Sequence, residues 1–449
     1  MLLHEPVRQL TSPGGAPFST LAGSPGIAVP INLAMLIANL GSGFTAGATF
    51  LDTSYCTDVP CPPRLSANPW VINVIITTLI IQAIALLFML SQWWRKPNSL
   101  SADPTSIAGV AVVMGHPRIE EEFSNVPADL TVAELRRRLK GRKYKLGNFQ
   151  TDSGIVKFGI MPMSTEEMAQ RRQRKDGFFS KLGALKEKIP FINDWRNNRF
   201  YFDTVFAMLL LALLGLTCAA LSRVDKTQVV FLATAAASGT GMRIFLAVLG
   251  TLVSSYWGRL FRDMQTFTPY IDLGRGDAEP DPTILLRKHT FPITAFFPLL
   301  WKGHFTAASV AFTGLAAEFL IIALAGLPYR PGQQRGEFLF WSVLSLAILT
   351  LMVAQLLIVN VWRRKLPMLT RPPDTIAAVM TYVAGTGMSR DFESLSMVKT
   401  KERDEAIKQL GKNYAYGWRR DPNGQMRWVV DEVRGKEGVP FAPRRVDSF

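Results

Sequence analysis

The sequence predicts an α-helical membrane protein with about six transmembrane helices and two homologous small cytosolic α+β modules. Three observations carry this. No charged residue occurs between Arg8 and Asp52, between Arg64 and Arg95, or between Glu337 and Arg363, and apolar runs of that length are long enough to span a bilayer as helices. The formal net charge of +15 is concentrated in two hydrophilic blocks, residues 95–200 and 362–449, each of which follows an apolar run. Finally, the two blocks repeat one pattern at an offset of 269 to 270 residues.

In chain order, residues 1–26 form a Pro/Gly/Ser-rich tail whose apolar stretch begins too late for a signal peptide. Residues 27–94 hold spans one and two. The first, Ile27 to Leu51, is rich in Gly, Ala and Ser, which suits close helix packing. The second, Trp70 to Trp94, ends in Trp93-Trp94-Arg95-Lys96, an aromatic-then-basic interfacial exit. Residues 95–200 are the first module plus a basic amphipathic linker. Residues 201–361 hold spans three to six: Phe202–Leu221, an imperfect span within Thr227–Trp257, Phe305–Leu327 and Phe338–Val361. Arg243 lies at the middle of the imperfect one, and Gly239-Thr240-Gly241 gives a re-entrant or tilted start as the alternative. Residues 258–303 read as a polar loop. Residues 362–449 are the second module and C-terminal tail. The Lys/Arg asymmetry places both termini, both blocks and the 258–303 loop in the cytosol, in a plasma membrane or endomembrane.

The repeat supplies the modules' internal order. Ile107-Ala108 corresponds to Ile376-Ala377, Val110 to Val379, Phe123 to Phe392, Tyr144 to Tyr414, Gly147 to Gly417 and Gly154 to Gly424. Each unit predicts a short helix (Thr105–Met114; Thr375–Val383), an acid-Phe pair, a second helix (Val132–Leu139; Glu402–Leu410) and a β-hairpin. The hairpins pair Lys143–Gln150 with Ile155–Met161 and Tyr414–Arg420 with Met426–Val430. One hairpin with two short helices buries little surface, so the two units are expected to pack together.

With these motifs in view, the chain resembles a fungal multi-pass membrane family carrying a duplicated domain of unknown function, number 3433. The resemblance rests on Asp103-Pro104-Thr105-Ser106-Ile107-Ala108 and Tyr144-Lys145-Leu146-Gly147, and on Pro373-Asp374-Thr375-Ile376-Ala377 and Tyr414-Ala415-Tyr416-Gly417. Between the two sets it rests on Thr268-Pro269-Tyr270-Ile271-Asp272-Leu273 and Trp301-Lys302-Gly303-His304. It covers residues 65–435 and implies an architecture, with no activity to carry over. This chain is a short member, lacking long segments where Pro328–Glu337 stands.

The chemistry-bearing residues are few. Four histidines, His4, His116, His289 and His304, show no metal-ligand spacing, and there is no phosphate-binding loop or nucleophile elbow. The expectation is therefore no enzyme, no cofactor and no metal. Glu120-Glu121-Glu122 reads as a solvated helix end. Arg243 and Glu318 are expected to form an intramembrane charge pair, with Asp203 near a span end as the fallback acid. Cys56 and Cys61 are expected to form a disulfide in the short loop between spans one and two. Arg171, Arg172, Arg174, Lys175, Lys181, Lys186 and Lys188 interleave with aromatic and leucine residues, a pattern for contact with the anionic cytosolic leaflet. The expected partners are membrane lipids and proteins reached through the modules, not nucleic acid. A non-enzymatic scaffold or sensor fits best. The alternative is a small-solute or ion transporter using Arg243 and Glu318.

Overall fold

The computed structural model describes residues 49–52, 64–67, 69–94, 104–127, 130–139, 142–150, 154, 156–164, 199–222, 239–327, 335–420 and 426–433. In chain order these form β1 (Thr49–Asp52), β2 (Arg64–Ala67), α1 (Pro69–Trp94), α2 (Ile107–Val113), α3 (Pro117–Ser124), α4 (Val132–Arg138), β3 (Tyr144–Gln150), β4 (Val156–Pro162) and α5 (Arg199–Ser222). The chain continues through α6 (Gly239–Arg275), α7 (Pro292–Trp301), α8 (Phe305–Gly326), α9 (Arg335–Arg363), α10 (Ile376–Val383), α11 (Gly387–Asp391), α12 (Thr400–Gln409), β5 (Tyr414–Arg420) and β6 (Met426–Glu432).

Four described helices, α1, α5, α8 and α9, are long and apolar enough to cross a membrane. They satisfy their backbone polar groups internally, as lipid requires. The count of six is not reached among the described residues: the first predicted span lies mostly outside them, and the imperfect one is recast. Its helix, α6, begins at Gly239 and runs 37 residues to Arg275, straight through Pro269. The predicted polar loop over 258–303 is therefore largely helical, because α7 also falls inside it. Pro269 has no N–H to give the Gln265 carbonyl and its ring crowds that oxygen, so the helix continues past it at a local cost.

α6 runs antiparallel to α8. Trp257 donates from its indole Nε1 to the Val310 carbonyl at 3.1 Å, Ser254 meets Glu318, Gly250 faces Ile321, and Ala247 clusters with Ile321 and Ala325. α9 packs on α8 and α5 packs on α9. Phe206, Leu210, Trp257, Phe261, Leu320 and Leu349 belong to the shared core of this bundle.

Outside the bundle, two sets of elements share order, strand length and register. The ladder β3–β4 pairs Tyr144 with Pro162 and Gly147 with Gly159. The ladder β5–β6 pairs Tyr414 with Glu432 and Gly417 with Val429. Their helices begin alike. Ser106 caps α2 by accepting from the Gly109 N–H, and Thr375 caps α10 by accepting from the Ala378 N–H. Each satisfies one of the orphan donors of a helix start. Thr131 and Glu134 close a capping box on α4. The sequence does not signal α11 or the β1–β2 ribbon, and of α3 it signals only the acidic helix end at Glu120–Glu122.

Candidate functional site

The expected charge pair does not form. Glu318 accepts a hydrogen bond from Ser254 Oγ at 2.7 Å. Arg243 precedes Ser254 by eleven residues on the same helix, about 16 Å at 1.5 Å per residue. It is buried in the second turn of α6, at the level of the C-terminal end of α8, one turn beyond the Ala247–Ala325 contact. Among the described residues no ion pair joins it to Glu318. The depths differ because Ser254, not Arg243, stands opposite Glu318. Asp203, the fallback acid, pairs instead with Arg363 and accepts from the Tyr256 hydroxyl, joining α5, α6 and α9. Cys56, Cys61 and the basic run from Arg171 to Lys188 lie outside the described residues.

Polar chemistry gathers where the bundle meets the modules. The Arg371 side chain is 2% exposed. It donates from Nε to the Leu130 carbonyl at 2.5 Å, from Nη1 to Thr381 Oγ1 at 3.0 Å, and from Nη2 to the Pro127 carbonyl. Arg427 donates to the Ser124 carbonyl at 2.7 Å and the Ala384 carbonyl at 2.8 Å. Both guanidinium groups thus reach from the second set of elements into the first. Glu120 returns the contact by accepting from Ser389 Oγ at 2.7 Å and the Gly385 N–H at 3.2 Å. Glu122 accepts from the Tyr144 hydroxyl and pairs with Arg142. The acidic run expected to face solvent is therefore partly a packing element.

α6 is built into this seam. Its Tyr270 packs edge-on against Tyr382 and Tyr416, with both ring centroids 5.9 Å away. Beyond α6, Ala278 exchanges two backbone hydrogen bonds of 2.9 Å with Tyr414, while the Ala108 N–H donates to Ile284 at 3.0 Å. The segment after α6 thus binds one set of elements on each side. A single hydrophobic core runs from Phe123 and Tyr144 through Tyr270, Leu273 and Ile284 to Tyr382, Phe392 and Val430.

At the same boundary lies a cavity of about 380 Å³. α6 contributes Thr268, Asp272 and Arg275. The first turn of α8 contributes His304 to Ala307, and Trp362 and Lys365 close it at the end of α9. His304 donates from Nε2 to the Pro282 carbonyl at 2.8 Å, with Nδ1 3.5 Å from Asp272 Oδ2. Asp272 also accepts from Arg275 at 3.0 Å. Lys302 donates to the Asp281 main-chain carbonyl at 2.8 Å, and burial draws its pKa below the ordinary lysine value against the nearby Asp281 charge. Burial alone would raise the Asp281 pKa, but hydrogen bonds and charge from Lys408 and Lys302 outweigh it and leave it lowered.

The apolar helices define a membrane protein carrying a folded unit outside its bundle. Residues 240–329 match the family described as protein of unknown function (DUF3433). That stretch coincides with α6, α7 and α8, and includes every lining residue of the cavity except Trp362 and Lys365. No curated protein and no solved structure matches the chain.

Proposed function

We propose that this chain is a multi-pass integral membrane scaffold or sensor, non-enzymatic, whose two extramembrane units are duplicated copies facing the cytosol. The observation that carries the reading is the shared core. The two units, the end of α6 and the segment after it bury one continuous set of side chains, so the modules and a bundle helix move as one body. The polar groups at the seam are consumed in holding it together, as Arg371, Arg427 and Glu120 show. Equal offsets in caps, strands and register support the duplication. The transporter reading leaned on Arg243 opposite Glu318 and is set aside with that pair. Purified chain reconstituted in vesicles loaded with proton- and cation-reporting dyes is expected to show no flux above protein-free vesicles. Protein-dependent flux would sink the scaffold reading.

Sidedness has its own test. Gln150 and Gln409 are exposed on the two units. Introduced separately as Gln150→Cys and Gln409→Cys, both are expected to react with a membrane-impermeant maleimide only after permeabilisation, with the unsubstituted chain as background. Reaction of either in intact cells places that unit on the other side.

A further inference from the structure

We infer that the boundary cavity binds the phosphate of an anionic glycerophospholipid headgroup. Arg275, Lys302 and Lys365 supply three cations among the lining residues; Arg275 is paired with Asp272 at 3.0 Å and Lys302 stands 3.5 Å from Asp281, so Lys365 is the cation left to an incoming anion. Lys365 is exposed, its N–H donates to the Trp362 carbonyl, and its ammonium makes no hydrogen bond or ion pair among the described residues. The floor is the start of α8. The N–H groups of its first turn have no partner inside the helix, and its N-cap, His304, makes no side-chain cap. A 22-residue helix starting in a cationic cavity has its positive end directed at whatever enters.

The position selects a lipid over a soluble anion. The cavity opens at the level where α8 starts and α9 ends, the boundary of two apolar helices. Phe305, itself a lining residue, is 68% exposed, and Trp301 beside it is 84% exposed. With Phe297 and Ile293, also exposed on α7, they make an apolar surface next to the charged opening. A headgroup phosphate in the cavity leaves its acyl chains against that surface. A free anion would use the charges alone. The inference deepens the sensor reading by naming the ligand chemistry, and its assay requires neither a protein partner nor a flux.

The test uses the full chain purified in a neutral detergent. Thermal unfolding and Trp fluorescence are followed during titration with dioleoyl phosphatidic acid, dioleoyl phosphatidylcholine or sodium phosphate. Phosphatidic acid is expected to bind saturably and raise the unfolding temperature, while the other two have no effect. Lys365→Glu is expected to weaken binding at least about tenfold, since reversing one charge near the surface removes about two charge contacts. Lys401→Glu, an equal charge change at an exposed position of α12, is expected to bind as the unsubstituted chain does. The Lys365 ammonium has no partner to lose among the described residues, so its variant folds. Arg275→Gln, removing a second lining cation, checks the same site. Equal losses in Lys365→Glu and Lys401→Glu, undiminished binding by Lys365→Glu, or no binding at all would each overturn the site. An equal response to sodium phosphate that Lys365→Glu abolishes would overturn the lipid assignment. Failure of the scaffold reading appears instead as flux in the vesicle assay, without change in these titrations.

Discussion

Arg371→Met is expected to destabilise the extramembrane unit by about 1.5–3 kcal/mol, the range for losing hydrogen bonds donated by a charged group. The side chain is 2% exposed and is the donor for two carbonyls, Pro127 and Leu130, that belong to the other half of the seam. Without the guanidinium those two carbonyls, in a part-buried seam, each lose a charged donor. Thr381 Oγ1 loses a donor as well. Arg371→Lys is expected to recover little, because a single ammonium cannot reach three acceptors spread across a planar fork. Arg390→Met, at an exposed position near the seam, is the control and is expected to change stability by less than about 0.5 kcal/mol. Denaturant unfolding in detergent, with hydrogen exchange over residues 104–127 and 130–139, measures both the loss and its location. Equal stability of Arg371→Met and Arg390→Met would show that the two units hold together without the arginine.

The local elements were legible because their signals are local. Ser106 and Thr375 stand before apolar helical runs and cap them. Tyr144 to Gln150 and Tyr414 to Arg420 form strands inside the hairpins that the repeat located. What could not be read was which residues meet across long separations. Nothing adjacent to Arg371 in the chain reveals that its acceptors lie more than 240 positions earlier. Glu120 resembled any solvated acid until Ser389 was placed beside it. The length of α6 was hidden by Pro269 and by five charges, Arg259, Arg262, Asp263, Asp272 and Arg275, that make its second half look like a loop. The expected span therefore ended at Trp257, where the helix continues to Arg275. Reading 258–303 as a loop also divided the cavity, whose Thr268, Asp272 and Arg275 stand on α6 while His304 heads α8.

The bundle depends on a close approach of helices that a single added side chain tests. Gly250→Leu is expected to be among the most damaging substitutions in α6. A Cβ built on Gly250 falls 2.9 Å from the Cα of Ile321 and 3.4 Å from its Cγ1. The nearest obstacle is thus backbone, which cannot rotate away as a side-chain tip can. In lipid the apolar surfaces of α6 and α8 gain little by leaving the acyl chains, so their association relies on packing at small residues. Separating the backbones to admit a leucine loosens neighbouring contacts, among them Trp257 with Val310 and Ala247 with Ala325. A loss of about 1–3 kcal/mol follows from overpacking alone, and the lost helix contacts add to it. Gly250→Ala is expected to fall between Gly250→Leu and the unsubstituted chain. The double change Gly250→Leu/Ile321→Ala is expected to rescue only partly, since truncating Ile321 leaves its Cα in place. Gly215→Leu in α5, where an added Cβ meets nothing within 4 Å, is the matched control and is expected to melt as the unsubstituted chain does. Thermal unfolding in detergent and recovery of monodisperse protein report the order. If Gly215→Leu and Gly250→Leu melt together, or the double change restores full stability, the α6–α8 backbone contact does not limit the bundle.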